Sequence, residues 1–395
     1  MKLAHLADLH LGFRQYARLT PKGVNQREAD VALAFRRAMD AVADARPDIV
    51  VVAGDLFHAV RPTNAAILDA FHQFRGLRAR LPDAPIVIVA GNHDTPRAVE
   101  TGTILKLFEA AVPGVHVVPH HEPRRLAFEH LGLSVLAVPH MAWSVAPRPP
   151  VSPDPGARFN VLVTHREVEG VLPRDAAATD YGSVPIKRAD LNAAGFDYVA
   201  LGHYHVATRV DANIYYAGSL EYVTTNPWGE AGERGAAAAR GQKGWLLVEL
   251  GDGLRVEFRA VEPARRVIDL EAIHGAGLTP AELDRAIGEH AAGVSPGFAN
   301  QIIRQLVYDV PRLTARDLDH AAVRDLKARA LHYRLDLRRP APGRDIGVSP
   351  TGRRQTLDEL VTEHLRARVL PPGVSRERVL SLAQTYLAAA GREEA

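Results

Sequence analysis

Short apolar runs and longer stretches of helical period alternate along the first 110 or so residues. "KLAHLA" is a brief apolar run, and a helical pattern follows it from about Arg27 to Ala45. "PDIVVVAGDLF" has a β-branched core and ends in a glycine turn. A second helix is predicted from about Asn64 to Leu81, then a strand in "APIVIVAGNHD", then a third helix from about Glu100 to Ala111. This alternation predicts βαβ units and a mostly parallel sheet, with the binding crevice at the carboxyl ends of its strands.

Beyond it, "VHVVPHH", "RRLAFEHLGLSVLAVPHM", "FNVLVTH", "FDYVALGHYH", "NIYYAGSLE" and "KGWLLVEL" read as further strands. "APRPPVSPDPGAR" is too rich in proline to be anything but a surface loop, and "PWGEAGERGAAAARGQKG" reads as an excursion between strands. After residue 262 the character changes. Thr279-Pro280-Ala281-Glu282 is a capping box with proline at the first helical position, and "IIRQLVYDV" and "RALHYRLDLRR" look like strands. "RRPAPGRDIGVSPTGRRQ" reads as a linker. A second capping box, Thr356 with Glu359, then opens a helix in which Leu357, Leu360, Val361, Leu365 and Val369 recur at helical spacing. Another helix follows "PPGVS". The expected division is 1–262, an α+β module over 263–345, and a linker with two terminal helices over 346–395. Two short helices cannot bury their own apolar faces, so docking onto another surface is the natural remedy.

Composition narrows the chemistry. The chain has no cysteine, so a metal must be held by His, Asp, Glu, Asn or backbone oxygen. The formal net charge of +2 supplies no whole-molecule argument for nucleic-acid binding. "MKLAHLADLHLG" lacks the apolar run of a signal peptide, and no stretch approaches the roughly 18 apolar residues of a membrane span, so a cytoplasmic protein is expected.

Five places carry a metal-capable side chain just after an apolar strand. They hold Asp8 and His10, Asp55, Asn92 with His93 and Asp94, His165, and His203 with His205. Converging on one crevice, they would supply what a two-metal hydrolase needs, with Asp55 as the bridging carboxylate between two mutually repelling cations. The single-residue spacing of Asp8 and His10, and of His203 and His205, is expected to place each pair on one side of an extended chain. Mixed His and carboxylate donors suit Mn, Fe or Zn better than Ca or Mg. In "AGNHDTP", Asn92 is read as a neutral oxygen ligand, His93 as the group facing substrate, and Asp94 as the carboxylate that orients His93 from behind.

"DLH", "GDLFH", "GNHD", "TH" and "GHYH", in that order, resemble the calcineurin-like metallophosphoesterase superfamily. "HLADLHLG", "AGDLFH" and "YYAGSLE" are closer to its Mre11/SbcD-type DNA-repair nucleases. The resemblance implies a metallophosphoesterase β-sandwich flanked by helices, a smaller α+β capping domain, and a C-terminal helix pair. It also implies one ion on Asp8, His10, Asp55 and His205, and a second on Asp55, Asn92, His165 and His203, most often Mn2+. By the same resemblance His93 is catalytic, and His58 contacts the phosphate or the DNA end. The implied activity is 3′-to-5′ exonuclease and hairpin or single-strand endonuclease action on DNA ends in double-strand break repair. The implied partners are a Rad50/SbcC-type ATPase on the C-terminal helices and a second copy of the chain, with the protein at the nucleoid. The chain has no Walker A loop of its own, since "GAAAARGQK" has the wrong spacing and no Ser or Thr after the Lys.

Two departures stand out: "YVTTNPWGE" replaces an acidic, aromatic continuation after "GSLE", and Arg166 follows His165. The alternative on the same metal core is a phosphomonoesterase or cyclic-nucleotide phosphodiesterase. Phosphatases of this type set an Arg close behind the Asp of the second motif, where this chain has His58 and only later Arg61. His5, His72, His116, His120, His121 and His140 read as ordinary polar residues. The Arg-rich stretch near Arg312 to Arg344 reads equally well as a DNA-facing surface or as a solvated face.

Overall fold

The computed structural model describes residues 1–96, 102–171, 185–233, 241–340, 357–368, 370 and 374–393. The expected linker beyond residue 340, the start of the helix placed at Glu100, the Gly/Ala-rich run at 234–240 and the cap residue Thr356 lie outside them.

The chain runs β1 (Lys2–Leu6), α1 (Gln26–Ala45), β2 (Ile49–Ala53), α2 (Asn64–Arg80), β3 (Ile86–Val89), α3 (Lys106–Ala111) and β4 (Val115–Val118). It continues through β5 (Arg124–Phe128), β6 (Leu133–Val138), β7 (Phe159–His165), β8 (Tyr198–Gly202), β9 (Thr208–Arg209), β10 (Ile214–Tyr216), α4 (Pro227–Gly232), β11 (Lys243–Leu250) and β12 (Leu254–Val261). The last part holds β13 (Val267–Asp269), β14 (Ile273–His274), α5 (Pro280–Ala292), β15 (Ile302–Tyr308), α6 (Arg312–Arg316), α7 (His320–Arg329), β16 (His332–Leu337), α8 (Leu357–Ala367) and α9 (Arg376–Glu393).

Two sheets form a sandwich, with strand orders β12-β11-β1-β2-β3-β4 and β5-β6-β7-β8-β10-β9 among the described residues. In the first, β1, β2, β3 and β4 are parallel to one another, and β11 and β12 close its edge antiparallel. In the second, β6, β7, β8 and β10 run parallel. The two-residue period of each strand sorts its side chains. Leu3, Val51 and Val87 point into the layer between the sheets, against Val135, Val161 and Ala200. Val50, Val52, Ile86 and Ile88 point the other way, onto Phe35, Phe74 and Phe108 of the covering helices. Covered on both faces, these strands read as unbroken apolar runs.

The helix starts follow from capping. Asn25 accepts from the amides of Arg27 and Glu28 to open α1, and the Thr63 side chain accepts from Ala66 to open α2. The third helix is shorter than its pattern predicts. Gly102 has φ of +66°, and the Thr103 hydroxyl donates to the Asp94 carbonyl, so this stretch serves the site loop before α3 begins. Helix α7, which the sequence pattern does not announce, is capped by Asp319 accepting from Ala321 and Ala322.

The residues form two compact units. One comprises Met1–Ile273, Pro280–Leu306 and Leu318–Asp336, and the other His274–Thr279, Val307–Asp317 and Leu337–Ala395. In the first, the sandwich is joined by a small module in which β13 pairs parallel with β15, Val267 against Ile302. In the second, α8 and α9 form a pair, tied by Arg376 Nη1 donating to the carbonyls of Leu365, Arg366 and Arg368. Among the described residues no helix is long and apolar enough to cross a membrane.

Candidate metal centre

The loops after β1 and β2 are zipped together. Asp8 N donates to Gly54 O, His10 N to Asp55 O, Leu11 N to Leu56 O and His58 N to Leu11 O, each across 3.0 Å. Four ligand-type residues sit in left-handed backbone: Asp8 at φ 53°, His10 at 45°, Asp55 at 51° and His203 at 107°. Such conformations cost of order 1–3 kcal/mol each and persist where the surroundings over-determine them. They also overturn the extended chain expected for the Asp8/His10 and His203/His205 pairs. The turn at His203 sends its ring toward Asn92 and His165, while the His205 ring faces His10. Gly54 is required between the two sheets, because a Cβ there would overlap the His165 ring.

The ten residues singled out from the sequence meet in this one cluster. Asp55 Oδ2 lies 3.6 Å from His10 Nε2 and 3.3 Å from His165 Nε2. On one side, His205 Nε2 stands 3.1 Å from His10 Nε2 and 3.9 Å from Asp8 Oδ1. On the other, Asn92 Oδ1 stands 2.9 Å from His165 Nε2 and 3.3 Å from His203 Nδ1. Donors sharing an ion at bonds of about 2.1 Å stand roughly 3.0–3.4 Å apart, so these separations suit coordination. Asp8, His10 and His205 form one compact donor group, and Asp8, Asp55 and His165 another.

Proton bookkeeping points the same way. His165 Nδ1 donates to the Ala53 carbonyl across 2.8 Å, which turns Nε2 toward the Asn92 and Asp55 oxygens, and in the metal-free protein Nε2 carries the proton that faces them. Burial opposes charge on His165, yet the Asp55 carboxylate and then Asp8 push it up to about 10. Burial opposes charge on Asp55 too, but His165, His10 and His93 hold it well below the usual carboxylate range. Burial pushes His10 and His203 well below 6.5 and His205 down to about 4, which leaves neutral imidazoles with lone pairs to donate. A cage of inward lone pairs around an ionised carboxylate fits divalent cations, whose binding displaces protons.

His93 lies beside this cage with its amide donating to Asp55 Oδ1 across 2.9 Å. Its orientation differs from the sequence reading. His93 Nδ1 donates to the main-chain carbonyl of His58 across 2.8 Å, and the two rings stack with centroids 5.1 Å apart. The Asp94 carboxylate instead accepts from the amides of Leu56, Phe57 and Gly91, stitching together the loops after β2 and β3. Burial and the Asp55 charge push Asp94 up to about 6 against these amide donors. His58 Nδ1 lies 3.2 Å from His10 Nδ1, and burial followed by the nearby His93 pushes His58 down to about 4.

One neighbour escaped the sequence reading. His140, read as an ordinary polar residue, has its ring 6.0 Å from that of His165 and 6.3 Å from that of His203, and its Nε2 lies 3.0 Å from Arg166 Nη1. Its signal was the same as that of the others: "VLAVPHM" places a histidine just after an apolar strand.

Residues 1–207 match the family model for calcineurin-like phosphoesterases, and the chain belongs to that family. It is 29% identical over 277 residues to the DNA double-strand break repair protein Mre11 of Methanopyrus kandleri, covering 66% of this chain and 57% of that one. It is 26% identical over 214 residues to the protein of the same name from Saccharolobus solfataricus, covering 53% and 51%. With that of Thermoplasma acidophilum it shares 26% over 277 residues, covering 67% of each. The matched part of the chain thus spans little more than half the length of the first two relatives.

Proposed function

We propose that this chain is a divalent-metal-dependent nuclease of the Mre11 type, acting on DNA ends in double-strand break repair. The observation that carries the reading is the single oxygen of Asp55 facing both His10 and His165, with His93 alongside. The similarity to proteins named for double-strand break repair supports DNA as the substrate.

In this reading Asp8, His10, Asp55 and His205 hold one ion, and Asp55, Asn92, His165 and His203 hold the other, with Mn2+ the preferred metal. When bound, the cations supply Lewis-acid activation of the phosphodiester and a nucleophile at neutral pH. His93, its Nδ1 proton engaged by the His58 carbonyl, presents Nε2 to the leaving oxygen and donates a proton to it. His58 contacts the phosphate or the DNA end. Asp94 serves the reaction through the loops it ties together.

The same reading assigns residues 1–262 to the nuclease domain, 263–345 to a capping domain that faces DNA, and 346–395 to a linker and helix pair. The helix pair is the dock for a Rad50/SbcC-type ATPase, supported by Leu382 and Tyr386, which are 58% and 69% exposed. Helices α2 and α3 carry Leu68 and Leu107, 56% and 43% exposed, as a face for a second copy of the chain. The protein works in the cytoplasm at the nucleoid.

The test is digestion of end-labelled linear duplex and hairpin DNA with Mn2+, with and without the ATPase, alongside p-nitrophenyl phosphate and a cyclic nucleotide. Mn2+-dependent shortening from 3′ ends and hairpin opening, both lost in His93→Ala, are expected. Hydrolysis of the small esters with DNA left intact would establish the phosphomonoesterase or cyclic-nucleotide reading instead.

A further inference from the structure

We propose that Lys243 and Glu230 are positioning residues that hold His205 in register with the metal centre. The inference rests on the proposed assignment of His205 as a metal ligand.

The rings of His10, His165 and His203 are enclosed on all sides, with side chains of the first two 1% and 0% exposed and His203 7% exposed as a residue. The His205 side chain is 20% exposed and follows the end of β8 in a stretch without regular structure. Packing therefore grips this ring least, and its main chain must be held instead. The His205 carbonyl accepts from Ser219 N at 3.1 Å and Lys243 Nζ at 3.0 Å, while the Ser219 hydroxyl donates to the nearer Glu221 carbonyl at 2.8 Å and accepts from Lys243.

Lys243 opens β11 with its side chain 2% exposed. Its ammonium pairs with the Glu230 carboxylate, donates to Ser219 Oγ across 3.0 Å and lies 4.8 Å over the Tyr222 ring. Glu230 is itself buried and accepts from Thr224 Oγ1 across 3.0 Å. It lies in the segment that departs from the family pattern, on α4, which Asn226 caps and Pro227 starts. Trp228 of the same helix packs on Ile302 and Leu331 beneath the Arg304 guanidinium, so α4 is anchored from the far side as well.

Desolvating two charges costs several kcal/mol per ion, and apolar replacements of a buried pair are often as stable. The pair is therefore poorly explained as a stabilising device. What an ion pair fixes better than an apolar contact is the position of the ammonium proton aimed at His205. Outer contacts of this kind govern metal affinity by roughly 10- to 100-fold.

The experiment compares wild type with the full-length double variant Lys243→Met/Glu230→Gln, which removes both charges at similar volume. Mn2+ titration calorimetry, electron paramagnetic resonance at fixed Mn2+ loading, and the thermal midpoint of the metal-free protein are measured. One of the two binding steps is expected to weaken by roughly 10- to 100-fold with the other unchanged. The coupled two-ion signal should give way to a single-ion signal, with the thermal midpoint kept within a few degrees. Wild-type constants for both steps, or equal weakening of both together with a fallen midpoint, would overturn the inference. If the double variant does not fold, Ser219→Ala deletes the hydroxyl that accepts from Lys243 and so loosens the ammonium held against the same carbonyl. It should weaken the same step several-fold, and an unchanged titration would overturn the inference. A wild-type chain that takes up no Mn2+ overturns the metal centre itself, and this inference with it.

Discussion

His93 and His58 are joined twice, by a hydrogen bond from His93 Nδ1 to the His58 carbonyl at 2.8 Å and by stacking of their rings at an interplanar angle of 23°. The hydrogen bond uses the main chain, so it survives any substitution at residue 58. His93→Ala should therefore lower Mn2+-dependent DNA cleavage by about 10²- to 10⁴-fold, the range of a general acid, with Mn2+ binding retained. His58→Ala should cost less, because His93 keeps its orienting partner. Initial rates on end-labelled duplex measure both, and equal losses would show that the stacked ring does the orienting.

Asp55 is the residue whose loss should reach both halves of the cage, since one of its oxygens faces His10 and His165 together. Asp55→Ala is expected to lose both ions, whereas Asn92→Ala should lose only the ion shared with His165 and His203. Metal analysis after gel filtration distinguishes the two, and full retention of metal by Asp55→Ala would contradict a bridging role.

Asp94 accepts three main-chain amides while buried, so its replacement should act on stability. Asp94→Asn swaps one acceptor for a donor pointed at amides, and a drop of about 1–3 kcal/mol in the metal-free protein is expected. The pH profile of cleavage should keep its shape. A displaced profile with unchanged stability would restore the orienting role read from the sequence.

His5 lies within β1 and meets the Tyr198 hydroxyl across 2.9 Å. Burial pushes it down to about 3 from 6.5. The unfolded chain binds this proton below about pH 6.5 and the folded one does not, so stability present above that pH is lost as pH falls toward 3. The slope from one such group is about 1.4 kcal/mol per pH unit. His5→Gln keeps a polar partner for Tyr198 and removes the titration, so urea unfolding of the metal-free protein at stepped pH should show a flatter acid limb. An unchanged limb would assign the loss to other groups.

Much of the centre is legible in the amino-acid order alone. An apolar run covered on both faces, then glycine, then a polar residue, marks a parallel strand delivering a side chain to a crevice, and this pattern located Asp55, Asn92 and His203. Local rules placed α1 and α2 to within a residue or so, because capping and period are properties of neighbours in sequence. Other features depended on partners far apart in the chain. Arg166 touches His140 across 26 positions, and Lys243 reaches the His205 carbonyl across 38. Left-handed backbone at Asp8, His10, Asp55 and His203 arises only where loops from separate strands interlock, and it sends His203 and His205 to different sides of the cage. The division between the two has a physical cause: the amino-acid order determines which donors exist and which strand ends carry them. Which acceptor each proton meets is decided by packing and long-range hydrogen bonds, and so by the tertiary structure alone.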